Sequence, residues 1–265
     1  MERLELIQKL NGMLLEDLPH YREFFRDLGA DVPSQRRLLR SLMNLRPPAP
    51  LNPEFLALQD TLLSEERGEK GVVDTMQLPT TADPHIVLWQ GDITLLKVDA
   101  IVNAANSALL GCFHPCHGCI DNAIHSAAGL QLRDECNQIM VAQGHEEHVG
   151  QAKITKGYSL PAKFILHTVG PIIQGPLTQL DRELLASCYR SCMELVAERG
   201  LESIAFCCIS TGEYHFPNDV AAEIAVQTVK EFLVANKMVR RVIFDVFTAL
   251  DFRLYQRELK SSPSQ

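Results

Sequence analysis

The chain has 265 residues, 46% hydrophobic and 22% charged, with a formal net charge of -8. That length suits one large domain, or a core domain with a smaller one, and the acidic balance argues against a surface built to hold nucleic acid. The start, Met1-Glu2-Arg3-Leu4-Glu5-Leu6, lacks the apolar core of a secretion signal, and no run approaches the roughly 18 apolar residues of a membrane span, so we expect a cytoplasmic protein with no membrane partner.

Residues 1 to about 70 read as helical. Leu4, Ile7, Leu10, Leu14 and Leu15 recur at helical spacing. A second short helix is expected around Tyr21 to Leu28, before Gly29. A third runs from Ser34 to Leu45 and stops at Pro47-Pro48. Asn52-Pro53-Glu54 combines an N-cap residue, a proline at the first helical position and an acid in the first turn, and opens a helix to about Arg67. Arg36, Arg37 and Arg40 make a small basic cluster, most simply explained as a solvated helix face.

The pattern changes near residue 80. His85 to Trp89, Ala100 to Val102, Phe164 to His167, Ser203 to Ile209 and Arg241 to Phe247 are short apolar runs of strand length. Helical patterns at Ile120 to Met140, Asp181 to Arg199 and Pro217 to Asn236 separate several of them. Near-continuous apolar strands alternating with helices imply a mostly parallel sheet covered on both faces. Ligands are then expected at the carboxyl ends of the strands, in the loops after Val102, His167 and Ile209.

Three of the eight cysteines fall in Gly111-Cys112-Phe113-His114-Pro115-Cys116-His117-Gly118-Cys119. Thiolates and an imidazole are the ligands zinc prefers. Cys112, His117 and Cys119 would leave a fourth position open, as in a catalytic site; Cys116 as a fourth ligand would close it, and His114 is a further candidate. The plainer explanation is a loop of buried or incidental cysteines. Val102-Asn103-Ala104-Ala105-Asn106-Ser107 places two amides at a strand end, able to bind sugar hydroxyls or simply to stabilise a turn. Ser210-Thr211-Gly212-Glu213-Tyr214-His215-Phe216-Pro217 lies between a strand and a helix, where backbone N–H groups can face an anion. Asp121 stands at a helix start, with His125 one turn on; capping alone accounts for such an acid equally well.

Together with Gly91-Asp92-Ile93-Thr94, Ile124-His125-Ser126-Ala127-Ala128-Gly129 and His167-Thr168-Val169-Gly170-Pro171, these segments resemble the macrodomain family. The resemblance covers about residues 83 to 260. It implies a three-layer α/β/α fold with a mixed, mostly parallel sheet (79–265), behind a small helical N-terminal domain (1–78). The stretch Gly111 to Asn122 is similar to a zinc-dependent subgroup of protein-ADP-ribose hydrolases. By that resemblance Asp92 accepts from the adenine amino group, with the Ile93 N–H beside it. Asn106 meets the distal ribose, and Asp121 matches an active-site aspartate. Thr211, Gly212, Glu213 and Tyr214 surround the phosphates and distal ribose, Phe247 stacks on adenine, and Cys112, His117 and Cys119 hold Zn2+. The implied activity is removal of ADP-ribose from a modified protein, from an Asp or Glu ester. The alternatives are a reader module with a structural zinc, and hydrolysis of O-acetyl-ADP-ribose in the same pocket.

Overall fold

The structure is a computed structural model that describes residues 1–260; the last five positions of the expected 79–265 unit lie outside it. Three helices come first, α1 (Arg3–Asp17), α2 (Val32–Leu45) and α3 (Pro53–Lys70). Asp31 Oδ1 accepts the Ser34 N–H at 3.0 Å to open α2, and Asn52 Oδ1 accepts that of Glu54 at 2.8 Å to open α3. Each satisfies a donor that the first helical turn leaves without a partner. Ile7 and Leu10 of α1, Leu39 and Leu42 of α2 and Leu62 of α3 build a core of their own, which Leu130 joins from farther along the chain.

The helix expected over Tyr21 to Leu28 does not form. Pro19–Tyr21 makes one 3-10 turn, and the Arg26 and Leu28 amides reach back only three residues, at 3.4 and 3.3 Å. So short a segment, carrying Tyr21, Phe24 and Phe25, has neither the length nor the propensity to nucleate an α-helix.

The main sheet has six strands, in the order β2 (Ile86–Gln90), β8 (Arg241–Val246), β7 (Ser203–Phe206), β4 (Ala100–Ala104), β6 (Phe164–Thr168) and β5 (Ala152–Lys156). Every neighbouring pair is parallel except β5 and β6. A separate parallel pair, β1 (Val73–Asp74) with β3 (Leu96–Lys97), joins the end of the helical segment to the rest. Helices α4 (Ile120–Ala128), α5 (Leu130–Gln143), α6 (Gln179–Glu198), α7 (Asn218–Ala235) and α8 (Ala249–Lys260) complete the α/β/α fold. Its core is lined by Ile101, Ile165, Ile204, Ile243 and Phe244 from the central strands, each essentially inaccessible to solvent. No described helix is long and apolar enough to cross a membrane.

The single helix expected from Ile120 to Met140 is two. Gly129 takes φ +101°, a conformation that favours glycine. A Cβ there would meet the Gln59 amide at 2.5 Å. Gln59, on α3, needs that approach because its Oε1 accepts the Leu130 N–H at 2.9 Å and so caps α5. Because β4, β6, β7 and β8 run parallel, their carboxyl ends share one edge of the sheet. The loops discussed next rise from that edge.

Candidate active site

The site is founded on two neighbouring strands. The register pairs Asn103 of β4 with His167 of β6. Asn103 is fully buried, and its Nδ2 donates to Asp121 Oδ1 at 2.8 Å and to His167 Nδ1 at 3.2 Å. With Nδ1 accepting, the His167 proton is assigned to Nε2, which donates to Thr155 Oγ1 at 2.9 Å. Burial holds His167 down to about 3 and keeps it neutral. His125, Cys136 and His167 also bring their ligand atoms within 4.8 Å of one another. His167 is accounted for without a cation, because both of its ring nitrogens are engaged in hydrogen bonds.

Asp121 lies at the start of α4 and is buried. Burial pushes its carboxyl up to about 6, opposed by the Asn103 hydrogen bond and the Arg133 charge. His125 Nε2, one helical turn on, is 3.5 Å from Asp121 Oδ1, and burial holds this imidazole neutral. Asn106 stabilises a turn and also reaches Asp121. Its Oδ1 accepts the Ala108 N–H at 3.1 Å, which stabilises a turn, while its Nδ2 donates to Gly111 O at 3.1 Å and to Asp121 Oδ2 at 3.4 Å. Gly111 opens the Cys/His loop at φ +80°, where a Cβ would lie 2.8 Å from the His125 ring.

Above this floor the ligand atoms of Cys112, His117 and Cys119 lie within 4.8 Å of one another. Cys112 Sγ is 3.7 Å from His117 Nδ1, near the spacing of about 3.6 Å that zinc bonds of about 2.3 and 2.05 Å make at a tetrahedral angle. Burial pushes the Cys119 thiol up to about 12, although the Asn122 N–H works against this; a divalent cation removes that penalty by holding the thiolate. His117 Nε2, on the far side of its ring, is 3.6 Å from Glu213 Oε1. A carboxylate there orients a ligating imidazole. The donor set therefore fits zinc. Cys116 and His114 stand apart. Cys116 Sγ faces α2, 3.4 Å from Ser41 Oγ, and the His114 side chain is exposed.

The Ser210 to Pro217 loop turns sharply, with positive φ at Ser210 (+65°) and His215 (+56°). Its internal bonds run from Thr211 Oγ1 to Cys208 O, from the His215 N–H to Gly212 O and from the Phe216 N–H to Ser210 O. The amides of Gly212, Glu213 and Tyr214 are not among them, and α7 begins just beyond, at Asn218. Asp92 Oδ1 accepts from the N–H and Oγ1 of Thr94 at 3.0 and 2.6 Å, which ties down the turn after β2, with Ile93 buried. Phe247 follows the last residue of β8, with 82% of its surface exposed.

The structure also gives roles to residues that were not expected at the site. Arg40, expected to be solvated, donates from Nε and Nη2 to Asn122 Oδ1 at 3.2 and 2.8 Å. Arg36 makes a two-pronged ion pair with Glu66 at 2.5 and 2.8 Å. Of the three arginines only Arg37 is exposed. Arg133 spans from Leu110 O to the end of α2.

Fold and site together define an α/β protein of the macro domain family, and the chain belongs to it: the Macro domain family model matches residues 102–225. Among its relatives is a protein-ADP-ribose hydrolase of Treponema medium, 50% identical over 247 residues, which are 92% of this chain and 94% of the relative. A Staphylococcus aureus (strain MRSA252) protein-ADP-ribose hydrolase is 51% identical over 220 residues, 83% of this chain and 82% of that protein. Among solved structures, the Trypanosoma brucei macrodomain in complex with ADP-ribose is similar at a TM-score of 0.64 and 33% identity, over 82% of this chain and 94% of that one. The Oceanobacillus iheyensis macrodomain with ADP gives 0.61 and 41%, over 67% and 92%.

Proposed function

We propose that this protein is a protein-ADP-ribose hydrolase that releases ADP-ribose from an acidic side-chain ester, with Zn2+ held by Cys112, His117 and Cys119. The observation that carries this is the convergence of those three ligand atoms within 4.8 Å on a loop whose start is held by Asn106 and whose last residue caps α4. The hydrolase relatives, similar over most of this chain, support the activity.

In this proposal ADP-ribose lies across the strand ends. Asp92 and Ile93 receive the adenine, on which Phe247 stacks. The Thr211, Gly212, Glu213 and Tyr214 segment takes the pyrophosphate and distal ribose through backbone N–H groups near the start of α7. Asn106 holds the distal ribose. When bound, zinc supplies Lewis acidity at the scissile centre. Asp121, held by Asn103 and Asn106, orients the attacking water or a ribose hydroxyl. Neutral His125, 3.5 Å from Asp121 Oδ1, leaves the charge of that carboxyl uncompensated.

A reader module with a closed zinc site is the weaker proposal, because Cys116 Sγ points to Ser41 rather than to the other three ligand atoms. The test is release of ADP-ribose from proteins modified at Asp/Glu, Arg or Ser, with and without a chelator. We expect release from Asp/Glu alone, abolished by the chelator. Binding without release from any of the three would establish the reader instead, and chelator-insensitive release would remove zinc from the reaction.

A further inference from the structure

The Cys/His loop does not stand on the macrodomain alone. Cys116 holds φ +53°, a left-handed conformation unusual outside glycine. Its N–H donates to Asn44 Oδ1 on α2 at 2.9 Å, and its Sγ lies 3.4 Å from Ser41 Oγ and 3.6 Å from Arg37 O on the same helix. Arg40 Nη2 donates to His117 O at 3.3 Å. Its guanidinium also holds Asn122 Oδ1. Asn122 in turn donates from Nδ2 to His114 O at 2.9 Å and from its backbone N–H to Cys119 Sγ at 3.4 Å. Asn44 Nδ2 closes the junction by donating to Ser126 Oγ at 3.1 Å.

We infer that α2 is a structural part of the metal site: Arg40 and Asn44 position the Gly111 to Cys119 loop so that its three ligands converge. This rests on the zinc proposal above. Three lines of geometry support it. Within the loop, His114 O, Cys116 N–H and His117 O are each bonded to α2 or to Asn122, which α2 holds. The centre of the junction is buried, with Asn44 and Asn122 at 1% and 0% exposure; a buried network with its partners satisfied favours a single arrangement. Helix α2 is itself anchored: Arg133 Nη1 donates to Met43 O, Asn44 O and Arg46 O at 2.7, 3.1 and 2.6 Å. Those carbonyls are the ones a helix C-terminus leaves unpaired. The same side chain donates from Nε to Leu110 O, just before the loop, at 2.7 Å.

A loop already held in its bound shape loses less conformational freedom when it takes up a metal. Arg40 and Asn44 are therefore positioning residues for metal affinity, and Cys116 is a strut against α2 rather than a ligand. Arg40 is only partly buried, so Arg40→Ala leaves the core intact. Asn44→Ala removes the acceptor of the Cys116 N–H, whereas Asn44→Asp retains one.

The test uses full-length protein stripped by a chelator, with three readouts: zinc affinity by competition with a chromogenic chelator, the thiolate-to-cobalt charge-transfer band after Co2+ addition, and amide hydrogen exchange in the metal-free state. Arg40→Ala and Asn44→Ala should weaken zinc binding about 10- to 100-fold, weaken the cobalt band and speed exchange over residues 112–119, leaving β4 and β6 protected. Asn44→Asp should restore slow exchange at Cys116. Wild-type protein that takes up no zinc overturns the zinc proposal and this inference with it. A wild type that binds zinc, beside a folded Arg40→Ala protein with unchanged affinity and unchanged exchange, overturns this inference alone.

Discussion

Cys119→Ala should remove zinc and turnover while leaving the protein folded. Cys119 sits at the N-cap of α4, half-buried and outside the apolar core. Its structural duty is one 3.4 Å contact from the Asn122 N–H to sulfur. Losing a cap costs about 1 kcal/mol, too little to unfold an ordinary domain. Losing the ligand is a different matter. Two protein donors hold zinc poorly, and metal catalysis of this kind accounts for several kcal/mol of barrier lowering, or about 10³-fold in rate. Metal content, thermal unfolding and single-turnover release should therefore separate cleanly. A Cys119→Ala protein with normal turnover and no zinc would remove the metal from the account.

Asp121→Asn should lower kcat about 10²-fold, a size common for loss of a positioned acid or base, and leave KM and zinc content nearly unchanged. The substitution preserves shape and one acceptor: Asp121 Oδ1 and Oδ2 receive the Asn103 and Asn106 amides at 2.8 and 3.4 Å, and the asparagine oxygen keeps the shorter bond while Asn106 retains Gly111 O. Alanine would leave those buried donors unpaired and confuse a catalytic loss with a folding loss. Only an interaction realised in the transition state lowers kcat without raising KM. A matching rise in KM would place Asp121 in uniform substrate binding instead.

The strands of the parallel sheet were legible because both of their faces are covered. Ile86 to Leu88 and Ile204 to Phe206 therefore read as unbroken apolar runs. Strand β5 was not legible. It is the antiparallel edge strand Ala152-Lys153-Ile154-Thr155-Lys156, polar enough to pass for a loop. Helix α8 was missed for a related reason, since its charged residues outnumber the few it buries, among them Tyr255 and Leu259. The Gly129 break was hidden because an isolated glycine is tolerated in a helical pattern; only the approach of Gln59, far away in sequence, requires it.

The same division holds at the site. Cys112, His117 and Cys119 were readable because one short loop carries them all. The ties between Asn44 and Cys116, or Arg40 and Asn122, span more than a third of the chain's first 200 residues and leave no local pattern. Arg40 in particular looked like one member of a solvated basic face. Its bond to Asn122 belongs to tertiary packing, to which periodicity is blind.

The most direct measurement is a zinc titration of the chelator-stripped protein, following ADP-ribose release from an Asp/Glu-modified protein against zinc bound per chain. Release should be near zero without metal and rise in proportion to bound zinc, levelling off at about one equivalent, as a single three-ligand site requires. Full release by the metal-free protein, or zinc uptake that leaves release unchanged, would contradict a catalytic metal in the Gly111 to Cys119 loop.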